Sequence, residues 1–204
     1  MKFERDLDSI LDLDFSPDGK YIVSCFQAGT IRLWDVNSKI EIKQLLGHSK
    51  DVLSAQFSPD GTMIISSSID TTISLWDVES GKRLKQFKGH SDRVTRAKFS
   101  PDGKFIVSCS NDNTIRIWNI KTGREWKTLK GCSTCVCDVK YFPSRQTIVS
   151  CSSDNIVQLW NIKSGKEIQR FEGYSYFMMC VDVSQNNNII TSGSTDCKIR
   201  IWGL

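Results

Sequence analysis

Tryptophan returns at residues 34, 76, 118, 160 and 202, each time 42 positions after the last. All four prolines, at 17, 59, 101 and 143, keep the same interval. Turn-forming and apolar classes repeat with them, with almost no insertion or deletion. Such a chain is one supersecondary unit used several times, and no single unit can bury its own apolar face. The units run at about 1–46, 47–88, 89–130, 131–172 and 173–204, and together they predict a single domain over 1–204.

One unit, Gly89 to Lys130, shows the plan. "RVTRAKFS" reads as a strand. "SPDG" at Ser100 to Gly103 reads as a turn, with Pro101 pre-setting φ and Asp-Gly closing it. "KFIVSCS" is a second strand, "NDN" a tight turn, and "TIRIWNI" a third strand with Ile115 and Ile117 on one face. "KTG" turns again and "REWKTL" is a fourth strand. A lone sheet of four short strands is marginal in water, and stacking such sheets radially about an axis covers their faces.

Gly47-His48 and Gly89-His90, followed by Trp76-Asp77 and Trp118-Asn119, resemble the signature of the WD-repeat family, and the resemblance covers essentially the whole chain. It implies an all-β fold, a β-propeller of five four-stranded blades, and a platform for protein assembly. In that register no outer strand follows Trp202. Residues 2–6 offer one, with Phe3 in the slot of Leu45 and Phe87. Three forms are therefore expected: a five-blade ring closed by the N-terminal strand, an incomplete, open arc of seven-blade curvature, or a fragment of a larger signalling or regulatory protein completed by other chains or by further sequence. Family propellers most often have seven blades. Five blades would turn roughly 72° each against roughly 51° for seven. The repeats show no adaptation to the steeper turn, which favours the open arc or a fragment, and an open arc would permit self-association.

His48, Ser66, Asp70 and Trp76 form one constellation, and His90, Ser108, Asp112 and Trp118 another. Ser, His and Asp together suggest a hydrolase. The resemblance instead implies a buried structural relay, from the indole N–H to serine, histidine and aspartate, which satisfies each polar group. A catalytic site would not be expected twice at a 42-residue offset, so no enzymatic activity is expected. Ser24, Ser150 and Ser192 keep the serine, but Ala28 replaces the aspartate in the first unit, where Asp6 holds the histidine position. Cys132 and Tyr174 replace histidine in the last two. These three units are expected to lack the full relay and to be looser.

"CSTCVC" at Cys132 to Cys137 could suggest zinc, but no second knuckle or histidine stands nearby. No metal or cofactor is expected. Cys25, Cys109 and Cys151 share one buried slot, and Trp126 fills an apolar outer-strand slot with Ile42, Leu84 and Ile168, which predicts core packing. The sequence shows no phosphate loop and no H-E-x-x-H motif, so no small-molecule substrate is expected.

Function then falls to loops on a rigid scaffold. Ser9, Asp51, Arg93, Cys135 and Phe177 open the first strands, and Gln27, Ile69, Asn111, Ser153 and Thr195 precede the relay aspartate position. Both sets vary between units while core slots stay nearly constant. Asp51, Ile69, Arg93, Asn111, Tyr176 and Phe177 are the candidate partner contacts, and Met178 falls in an apolar core slot. Proteins or peptides are the expected partners. The net charge is +4, with scattered basic residues and no Phe-Arg-Arg-Gly lipid motif, which speaks against nucleic acid and anionic lipid. The cullin-receptor pattern W-D-x-R is not met, since Asn37, Glu79, Lys121 and Lys163 stand at its last position. No apolar run reaches a membrane span, and "MKFERDLDSI" has no h-region. An intracellular, cytoplasmic or nuclear, reducing setting is expected for the eight cysteines.

Overall fold

The computed structural model describes residues 9–204 except 145, 174 and 187. Phe3, Asp6, Tyr174 and the expected closing strand at 2–6 lie outside the described residues. The described chain forms five antiparallel sheets and almost no helix. The first holds β1 (Ile10–Phe15), β2 (Tyr21–Phe26), β3 (Thr30–Asp35) and β4 (Glu41–Leu46), and the second β5 (Val52–Phe57), β6 (Met63–Ser68), β7 (Ile73–Asp77) and β8 (Arg83–Phe87). The third takes β9 (Val94–Phe99), β10 (Phe105–Ser110), β11 (Thr114–Asn119) and β12 (Glu125–Lys130). The fourth takes β13 (Val136–Tyr141), β14 (Thr147–Ser152), β15 (Val157–Asn161) and β16 (Lys166–Phe171). The fifth has β17 (Met178–Val183), β18 (Ile189–Ser194) and β19 (Ile199–Gly203). Strand order follows chain order in every sheet. The chain divides into two compact units between Phe99 and Ser100.

The turns explain why the strands are short and evenly spaced. In the first turn of the second unit Ser58 Oγ donates to Asp60 Oδ1 at 2.6 Å, and Gly61 N–H donates to Ser58 O at 2.9 Å. Met63 N–H then bonds Ser58 Oγ at 2.9 Å and starts β6. Gly61 sits at φ 73°, which only glycine adopts freely. The Trp-bearing strands of the first four sheets shift register against their outer neighbours just before the tryptophan, at Leu33/Trp34, Leu75/Trp76, Ile117/Trp118 and Leu159/Trp160. That irregularity adds twist and re-aims the indole.

Burial follows from the two faces of each sheet. Val23, Cys25, Ile31, Leu33 and Leu45 on one face of the first sheet pack against Val52, Ala55, Phe57, Ile64 and Trp76 of the second. The third and fourth sheets meet the same way, through Ile115 and Ile117 against Val136, Val139 and Tyr141. The fourth and fifth meet through Val157 and Leu159 against Met178, Val181 and Ile190. Cys25, Cys109 and Cys151 are fully buried, as their shared slot predicts. Trp126 departs from expectation. It is half exposed, as are Ile42, Leu84 and Ile168 on the other outer strands. One side of its ring leans on Phe105, with centroids 5.2 Å apart.

Candidate partner-binding end and its structural relay

One hydrogen bond recurs in all five sheets. The indole N–H donates to a serine on the neighbouring strand, from Trp34 to Ser24, Trp76 to Ser66, Trp118 to Ser108, Trp160 to Ser150 and Trp202 to Ser192, at 2.7–2.9 Å. In the second sheet the hydrogen bonds run further. Ser66 Oγ lies 2.8 Å from His48 Nε2, and His48 Nδ1 lies 2.8 Å from Asp70 Oδ2. Burial alone would raise the Asp70 carboxyl. The bonds from His48, Thr72 and the Ser49 N–H outweigh it and hold the group well below the usual carboxylate range. An ionised Asp70 only accepts, so His48 Nδ1 carries the proton and donates. Nε2 then accepts from the Ser66 hydroxyl, whose oxygen accepts from Trp76. Each donor of the relay thus finds an acceptor, and the Asp70 carboxylate also accepts from the Ser49 N–H and from Thr72.

That connectivity has the order of groups of a hydrolytic triad. Ser66 is fully buried, and its hydroxyl oxygen accepts the Trp76 indole N–H at 2.8 Å. In the third repeat Trp118 is bonded to Ser108 at 2.9 Å, and Thr114 Oγ1 donates to Asp112 at 2.6 Å. His90 is buried.

The fourth sheet has a substitute that sequence reasoning missed. Cys132 is buried beside Ser150 and donates its thiol to Gln158 Oε1 at 3.1 Å. Gln158, also buried, donates to Glu167 Oε2 at 2.6 Å, and Glu167 holds Arg170 at 3.0 Å. Burial, together with the charges of Asp154 and Glu167, pushes the Cys132 thiol up to about 12, so it stays a neutral donor. The fourth sheet thus carries a different hydrogen-bond network in the place of the histidine. A signal was present: glutamine stands at 158 where other units carry Arg32, Ser74, Arg116 and Arg200. In the first sheet the equivalent Arg32 is buried, 3.5 Å from Glu41 and 4.8 Å above the Phe26 ring.

The three thiols of the "CSTCVC" stretch point to separate partners. Cys132 bonds Gln158, Cys135 Sγ lies 3.8 Å from Asn111 O, and Cys137 Sγ lies 3.3 Å from Ser153 Oγ. Among the described residues, no cluster of histidine, cysteine and acidic groups gathers to hold a metal.

The two variable sets of loop positions meet. Backbone N–H groups of Gln27, Ile69, Ser153 and Thr195 donate to the carbonyls of Ser9, Asp51, Cys135 and Phe177, at 2.9–3.4 Å. Each pair closes the same end of its sheet. Asp51 is less available than its charge suggests, because its carboxylate accepts the Ala28 N–H at 3.0 Å, and Ile69 is half-buried. Arg93 is exposed ahead of β9, and Asn111 is half-buried at the β10–β11 turn. Met178 is fully buried, as predicted. Tyr176 and Phe177 are 60% and 61% exposed. Their backbone is fixed, since Ser194 Oγ donates to Tyr176 O at 3.0 Å and Thr195 N–H to Phe177 O at 3.0 Å. Two aromatic rings thus stand out from a pinned loop.

Among the described residues, no helix is long and apolar enough to cross a membrane. The sequence model of a family described as "IFT122 first beta-propeller" matches residues 9–204. "WD repeat-containing protein 62" of Mus musculus is 46% identical over 46 residues, a stretch that spans 22% of this chain and 3% of that protein. Repeats, sheets, indole–serine bonds and the match over nearly the whole length agree: the chain belongs to the WD-repeat β-propeller family typified by the first propeller of IFT122.

Proposed function

We propose that this chain is a non-catalytic, intracellular scaffold that binds a protein or peptide through the loop end of its sheets. The observation that carries this reading is the pinned pair Tyr176 and Phe177. Exposed aromatic rings on an ordered backbone lose little entropy on binding and are favoured contacts at interfaces. Arg93 and Asn111 would widen the surface, while Asp51 and Ile69 serve more as braces. The relay supports the absence of catalysis, because its hydroxyl and imidazole are committed to holding turns.

Affinity capture from cell extract followed by quantitative mass spectrometry tests the proposal. The wild type is compared with Tyr176→Ser/Phe177→Ser at matched melting temperature. Loss of specific proteins from the variant is expected. An unchanged set of captured proteins would remove the aromatic pair from the binding surface.

A further inference from the structure

The turn between the third and fourth strands of a sheet changes sign along the chain. It carries Asp35 and Lys39 in the first sheet, and Asp77, Glu79 and Lys82 in the second. In the third it carries Lys121 and Arg124, and in the fourth Lys163 and Lys166, with no acid in either turn. All four of these basic residues are exposed. The acids that follow them are engaged inside their own sheets. Glu125 Oε2 accepts from Arg116 Nη1 at 2.7 Å, and Glu167 Oε1 accepts from Arg170 Nε at 3.0 Å. The two basic turns meet at one seam. Lys127 Nζ, on β12, donates to Ile162 O of the fourth sheet's turn at 3.1 Å, and also to Lys163 O. Gly165, at φ 74°, lets that turn lie against the lysine stem, since a Cβ there would meet Lys127 Cδ at 3.2 Å. Trp126, next to Lys127 on the edge strand of the third sheet, is 48% exposed. An apolar ring therefore lies at a seam with basic residues on both sides.

We infer that this seam binds an acidic, extended peptide segment of a partner protein, its carboxylates meeting Lys121, Arg124, Lys163 and Lys166 and an apolar side chain resting on Trp126. Charge complementarity selects the acid. The geometry selects a peptide. The basic groups sit at turn tips, at the end of the sheets, and Trp126 lies on the side of an outer strand. A flexible chain can follow that bent path, and a flat bilayer cannot touch both parts at once. A nucleobase would need an open face of the indole to stack on. Lys127 Nζ, fixed by two carbonyls, stands over that ring at 5.4 Å from its centre, and Phe105 leans on it. The seam lies at the opposite end of the strands from the Tyr176–Phe177 loop. It therefore goes beyond the function proposed above, and either surface can fail without the other.

Fluorescence anisotropy with a labelled peptide of glutamates around one central leucine tests this, on proteins whose folding is checked by circular dichroism. Wild type is expected to bind in dilute buffer and to weaken as salt is added. Lys121→Glu/Lys163→Glu is expected to weaken binding about tenfold or more. Glutamate is tolerated at that turn position, since Glu79 holds it in the second sheet. Lys39→Glu/Lys82→Glu makes the same change of net charge in the first two sheets and is expected to leave the affinity within about twofold. Trp126→Ser is expected to weaken it about threefold or more. Wild type that does not bind the peptide overturns the inference. So does an equal loss in the two charge variants, an unchanged affinity in Trp126→Ser, or tighter binding to phosphatidylserine vesicles or single-stranded DNA than to the peptide.

Discussion

Thr71 shows how a repeat tolerates a poor residue. It sits at φ 69°, in the left-handed region, at a turn position where other sheets have Gly29, Asn113 and Asn155. A β-branched side chain is strained there, at a cost of order 1 kcal/mol. Thr71→Asn is expected to stabilise the protein by about 0.5–1 kcal/mol, read as a higher denaturant midpoint at unchanged slope. No gain would mean that the Thr71 side chain makes a compensating contact. Ser66 is the opposite case, because one hydroxyl serves both Trp76 and His48. Ser66→Ala leaves a buried indole N–H and a buried imidazole nitrogen without their partner. A loss of about 2–4 kcal/mol is expected in the same measurement. A loss near zero would show that the relay adds nothing to stability.

At the scale of one sheet, the fourth repeat replaces one network by another. If Cys132 and Gln158 act as a unit, their substitutions should not add. A double-mutant cycle with Cys132→Ala and Gln158→Leu is expected to give a coupling of about 1 kcal/mol. Additive losses would reduce the Cys132–Gln158 bond to a bystander. This network was visible in the sequence only as two unrelated departures from the pattern, since 26 positions separate the pair. Strands and turns were far more legible. "TIRIWNI" became β11 at Thr114–Asn119, and the Asp-Gly pairs close their turns with the glycine at positive φ. Alternation tells which residues share a face but not which face a neighbour covers. Trp126 was misassigned to the core for that reason. The commitment of Asp51 to the Ala28 N–H was likewise hidden, because it joins one repeat to another.

At the scale of the whole molecule, the repeated turns make stability depend on acid in a predictable direction. Hydrogen bonds from Ser16, Ser58 and Ser80 hold Asp18, Asp60 and Asp77 below the ordinary carboxylate range, and the Ser38 backbone N–H does the same for Asp35. Asp70 joins them through His48 and Thr72 once burial is outweighed. Asp14 runs the other way, since burial raises it more than the Phe57 N–H lowers it. A carboxylate whose folded value lies below its unfolded value of about 4 stabilises the fold above that value. The contribution disappears as the pH falls through the folded value. Glu167 is lowered too, by its bond from Arg170, so among the described residues six lowered carboxylates against one raised predict a melting temperature that drops steeply from about pH 5 to about pH 2. Asp70→Asn should melt lower than wild type at pH 7, because it loses the ionic acceptor for His48. It should also fall less on acidification, because its share of the titration is gone. The two curves should therefore converge toward low pH. Parallel curves would mean that Asp70 titrates alike in the folded and unfolded chain, and that the relay does not depend on its charge.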